Sequence, residues 1–158
     1  MKPVGYHAWG DAHTVALFVL GSPPTLQLAD TRTGRAESVA GNIGRTLQRV
    51  PGRNAVSLVH KVSDTEWWIT ELDLTTRALR PLVRTLAGVD FYAWTPRPER
   101  TLLAGRGTKL YQWHPARGTG WEEVADLAAA GLADISRLAI TPRGDRLAVV
   151  AVPAPKPE

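Results

Sequence analysis

The sequence predicts an all-β fold, a β-propeller fragment of about three and a half four-stranded antiparallel blades, and three observations predict it. The first is a recurring segment. FYAWTPRPERTLLA at residues 91–104 returns as YHAWGDAHTVALF at 6–18, as RLAITPRGDRLAVVA at 137–151 and, more weakly, as LQRVPGRNAVSLV at 47–59. The second is its spacing. With the residue before each turn aligned, Trp9, Val50, Trp94 and Ile140 fall in register at steps of 41, 44 and 46. A period of about 40–45 residues, with a strand–turn–strand in every copy, is that of propeller blades. The third is that the intervals hold two further short strands each, with turn residues at matching places, as in Asp30-Thr31-Arg32-Thr33-Gly34 and Asp73-Leu74-Thr75-Thr76-Arg77.

Taken in order, residues 6–9 and 14–20 form the first hairpin around the turn 10–13, and Gly21-Ser22-Pro23-Pro24 breaks the second strand. Leu26 and Leu28 alternate through the third strand, 25–29, and 35–40 is the fourth. The second unit repeats this with strands at 46–50, 55–62, 66–74 and 79–86; Pro81 is tolerable because an outermost strand needs fewer backbone donors. The third unit has strands at 90–95, 100–105, 109–114 and 121–127. WEEVADLAAAGL, 121–132, carries good helix formers, but the repeat register assigns 121–126 to an outer strand and leaves a helical turn only at 128–130. The fourth unit offers two strands, 135–141 and 146–152, before the proline-rich tail 153–158. The expected organisation is one domain, 1–158, with blades at about 4–44, 45–88 and 89–133 and a partial blade at 134–153.

Composition narrows the function. With 158 residues and no cysteine, disulfides, thiolate metal sites and cysteine nucleophiles are excluded. No apolar run approaches the ~18 residues that cross a bilayer, so no membrane insertion is expected. The opening Met1-Lys2-Pro3 gives no sign of a signal peptide, and the absence of cysteine leaves the compartment open. The formal charge of +4 is spread without a basic run, so no nucleic acid is expected as a partner.

The pattern aromatic-x-aromatic-Thr-Pro-x-Gly-x-Arg, followed by an apolar strand and later by a strand ending in Asp and a polar turn, resembles the WD40-like repeats of TolB-type β-propellers. Tyr92, Trp94, Thr95, Pro96 and Arg100 carry it, as do Thr141, Pro142, Gly144, Asp145 and Arg146, with Asp30 and Asp73 after the third strands. Pro98 replaces the usual glycine in one copy, and the second copy keeps only Pro51-Gly52. The resemblance implies a binding platform, often extracytoplasmic, or a non-catalytic domain of a larger enzyme.

Candidate chemistry is sparse. His7, His13, His60 and His114 lie in different units with no ligand spacing, so no metal site is expected. No nucleotide or nucleophile-elbow motif occurs, and Asp11, Glu99 and Asp145 sit on separate turns rather than as a facing pair. No cofactor and no enzymatic activity are therefore expected. Trp9 and Trp94 share a repeat position and are assigned, with Val50 and Ile140, to the packing between blades. Trp67, Trp68, Trp113 and Trp121 are the candidate aromatic contacts wherever their rings are exposed. Arg53, Arg97, Arg100, Arg143 and Arg146 gather on the first turns and form the candidate basic face for an acidic partner. The expected function is non-catalytic protein binding, with the half-blade completed by self-association, a homodimer being favoured. The alternatives are a regulatory or substrate-gating domain of a larger enzyme such as a peptidase, and a piece of a longer propeller.

Overall fold

In the computed structural model, residues 3–96, 98–118 and 120–154 are described. Fourteen strands are seen among them. They are β1 (Val4–Trp9), β2 (Thr14–Val19), β3 (Thr25–Asp30), β4 (Ala36–Gly41), β5 (Ile43–Arg49), β6 (Ala55–Lys61) and β7 (Trp67–Asp73). After these come β8 (Leu79–Arg84), β9 (Ala93–Trp94), β10 (Leu102–Arg106), β11 (Lys109–Trp113), β12 (Glu122–Asp126), β13 (Leu132–Ile140) and β14 (Leu147–Pro153). Strands β1 to β4, β5 to β8 and β9 to β12 make three four-stranded antiparallel meanders, and β13 pairs with β14 in a two-stranded sheet. The fold is therefore a partial β-propeller of three full blades and half of a fourth. The segment rich in helix formers follows the repeat register: Glu122–Asp126 is an outer strand and only Ala128–Ala130 forms a 3-10 turn.

Cα packing divides the chain into two units, Met1–Asp90 and Phe91–Glu158. In the first, one face of β1 to β3 meets β5 to β7, and Ala16, Phe18, Leu26, Leu28, Ile43, Leu47, Val56, Leu58, Leu72 and Leu74 form the shared core. Alternation along each strand puts these residues on one face, while the other face of β2 and β6 is also apolar and largely buried, through Val15, Val19, Ala55 and Val59. The edge position of β8 accommodates Pro81. Ile69 pairs with Val83 and Thr70 with Pro81, so one extra residue bulges out beside the proline that cannot donate to the ladder. In the second unit β13 packs on β10 at close range. A Cβ on Gly105 would stand 2.3 Å from Ile135 Cγ2, so the approach requires glycine there.

The expected equivalence of Trp9, Val50, Trp94 and Ile140 as buried positions needs three corrections, the first being that Ile140 is only partly buried. Trp94 is 8% exposed, but Trp9 is 52% exposed. Its strand neighbour Ala8 points into the core between the first two sheets, so Trp9 points to the opposite face, where the first unit has no further sheet. The register of the second copy is also one residue off. The Val50 N–H donates to Ala55 O at 2.9 Å, as Thr95 N–H does to Thr101 O and Thr141 N–H to Arg146 O. Val50 is thus the counterpart of the threonines, and Arg49, the last residue of β5, that of Trp94.

Candidate binding surface

The first turn of each blade is built by local hydrogen bonds. In the fourth, the Thr141 hydroxyl accepts from Arg146 N–H and donates to the Asp145 carboxylate at 2.6 Å, and Gly144 takes φ +76°. The third copy carries Pro98 where the fourth carries Gly144, and proline cannot adopt a positive φ. The hairpin closes one residue later, at Thr101 instead of the position of Arg146, and Arg100 takes the left-handed conformation at φ +48°. Thr95 Oγ1 accepts from Thr101 N–H at 2.8 Å, and the Gln112 amide donates to Thr101 Oγ1 at 2.8 Å. These bonds fix the turn from both ends.

The five arginines of the sequence-derived basic face fare differently. Arg53 is bound to Glu71 at 3.0 Å, and Arg80 reaches the same carboxylate oxygen at 3.3 Å. Glu71 is buried in the middle of β7, directly across from Arg80 on β8. Arg53 is thus a counter-ion to a buried charge. Arg100, Arg143 and Arg146 are exposed, and among the described residues none has an ion-pair partner. Arg97 lies outside the described residues. The Glu71 cluster is absent from the sequence-derived site, although counting back across the turn that joins β7 to β8 pairs Glu71 with Arg80.

The aromatic candidates are placed as follows. Trp113, on the interior strand β11 opposite the fully buried Leu102, is 5% exposed, so it presents no open ring. Trp121 is partly buried. Trp67 and Trp68 are half-buried on opposite faces of β7. The Lys61 ammonium sits 3.8 Å from the Trp67 ring centroid, a cation–π contact, and the Trp68 indole N–H donates to Glu66 at 2.8 Å. Trp67 also lines a recess of about 500 Å³ with Asp64, Thr65, Arg84 and Thr85. Among the described residues no three His, Asp or Glu side chains converge on a metal-sized point. His114 Nδ1 accepts from Ala116 N–H at 3.1 Å, a turn-closing role.

Four aspartates cap turns by accepting backbone N–H groups. The His13 and Thr14 amides lower the pKa of Asp11, the Arg32 amide that of Asp30, the Thr76 and Thr75 amides that of Asp73, and the Ala128 amide that of Asp126. Asp30 and Asp73 act at equivalent places. Each carbonyl also accepts from the residue four on, Gly34 at 2.8 Å and Arg77 at 2.9 Å. A carboxyl whose pKa is lower folded than unfolded stabilises the fold above the unfolded value, about 3.9, and loses that contribution as pH falls through the folded value. Urea midpoints are therefore expected to be unaffected by these four groups above about pH 5 and to fall steadily below pH 4. Midpoints that stay flat or rise down to pH 2 would contradict this capping role.

No helix among the described residues is long and apolar enough to cross a membrane. No protein-family model matches the chain, and no curated protein matches it. The crystal structure of TolB from Acinetobacter baumannii superposes on 98% of the chain with a TM-score of 0.70 at 20% sequence identity, and the match covers 39% of that protein. The chain therefore spans well under half the length of the solved protein it matches. With the four-stranded meanders already described, this superposition establishes the fold, a partial β-propeller similar to that of TolB.

Proposed function

We propose that the chain is a non-catalytic, protein-binding propeller scaffold whose incomplete ring is completed by self-association. The observation that carries this reading is the contrast between Trp94, 8% exposed, and its repeat counterpart Trp9, 52% exposed. A large aromatic at a blade-packing position, left half in water, is the kind of residue that anchors interfaces. At the other end of the chain, β14 pairs only with β13 among the described strands, and Val150 and Val152, on one face of it, are 57% and 55% exposed. An apolar strand edge of this kind invites pairing or cover. In a symmetric homodimer each chain's first sheet would meet the other's two-stranded sheet. Sedimentation or light scattering at micromolar concentration is expected to give twice 17.2 kDa. A well-behaved monomer would sink the self-association reading.

A second reading is supported by the 39% share of the solved TolB chain. The same segment could serve as part of a larger propeller, including a regulatory or substrate-gating domain of an enzyme such as a peptidase. A longer chain that is monomeric, while this segment alone dimerises, would favour it.

A further inference from the structure

We propose that the paired first turns of the second unit, the described residues 95–96 and 98–101 with 141–146, form a docking site for a carboxylate-rich segment of a partner protein. The proposal rests on the protein-binding reading and gives it a partner chemistry. The two turns touch: a Cβ on Gly144 would lie 3.0 Å from Pro96 Cγ. Arg143 immediately precedes that contact, and the Arg100 N–H donates to Pro96 O. Arg100, Arg143 and Arg146 therefore stand on two abutting turns, exposed, and without ion-pair partners among the described residues.

The first unit uses its turn arginines differently. Arg32 is held by Asp30, Arg53 and Arg80 by Glu71, and Arg77 by Glu37. Those four are engaged internally, as is Arg117 by Glu122 in the second unit, whereas Arg100, Arg143 and Arg146 have no ion-pair partner among the described residues and are left for an outside partner. Arg100 also holds a left-handed φ of +48° that glycine or asparagine would adopt at lower cost. The guanidinium forks suit discrete carboxylates. The positive charge here is three guanidiniums without a basic run, which favours a short acidic polypeptide over a nucleic-acid backbone.

The test uses the full chain and a fluorescein-labelled octaglutamate peptide, with single-stranded oligothymidine and phosphatidylserine-containing vesicles in parallel. Peptide binding is expected at low salt and is expected to weaken about tenfold toward 150 mM, where the screening length falls to ~8 Å. The R100G/R143E pair should lose at least tenfold more at low salt. Arg100→Gly relieves the strained φ and Arg143 is exposed, so the thermal midpoint should not drop and a loss of binding reads charge. Arg32→Ala should bind as the parent does. The proposal is overturned if the parent does not bind the peptide, if R100G/R143E binds it unchanged, if R32A loses as much, or if oligothymidine or vesicles bind as tightly. Mass measured on the same variants keeps the two readings apart, since self-association should persist in R100G/R143E.

Discussion

Trp94→Ala is expected to cost about 3–5 kcal/mol in urea unfolding, the range for truncating a buried large aromatic, while Trp9→Ala costs the isolated chain under ~1 kcal/mol. The two residues end the first strands of their blades and pair across to Val15 and Leu102. Their environments separate them. Trp94 is buried, so truncation leaves a cavity as well as a lost transfer term, whereas Trp9 already has half its surface in water. Self-association should show the opposite sensitivity. If the Trp9 face is the interface, Trp9→Ala removes a central anchor and the dimer dissociation constant should rise at least about thirtyfold, as ~2 kcal/mol implies. Unfolding measured at submicromolar concentration separates the two effects. Equal stability losses at the two positions would mean that Trp9 is covered within one chain.

That contrast marks where sequence reasoning stops. Some strand starts were legible because alternation and turn chemistry are local: β2, β3, β6, β8, β11 and the 3-10 turn at Ala128–Ala130 begin where those signals put them. By contrast, β1, β5 and β13 begin two or three residues earlier than expected, and β9 is only Ala93–Trp94. Pro98 was visible as a departure, and its consequence, a hairpin closed one residue late with Arg100 at positive φ, follows from proline's fixed φ. The one-residue offset at Val50 was also recoverable. Aligning Pro51 with Pro96 and Pro142 places Val50 beside Thr95 and Thr141. Trp9 was not recoverable, because its burial depends on whether another sheet lies against that face, which is a property of tertiary packing that local patterns do not carry. The basic face was only half legible for a related reason. A count of turn arginines does not reveal which of them a buried carboxylate has already engaged.

Glu71 is that carboxylate, and removing its partners should hurt more than removing it. The side chain is buried on β7, with Arg53 at 3.0 Å and Arg80 at 3.3 Å from the same oxygen. The arginines are themselves 49% and 60% exposed. In Glu71→Gln both guanidiniums can turn to water, the amide keeps an acceptor in place, and the expected loss is about 1 kcal/mol. Either single arginine variant leaves one counter-ion and should also cost about 1 kcal/mol. The double variant R53A/R80A leaves a buried charge with neither neutralising partner and should cost about 3–5 kcal/mol at pH 7. That is more than the two singles added together, because they share one acceptor. Adding Glu71→Gln to R53A/R80A should then recover most of the loss, since the uncompensated charge is gone. A triple variant no more stable than R53A/R80A would show that the arginines act by packing their stems against β7, and that the buried charge is not what they serve.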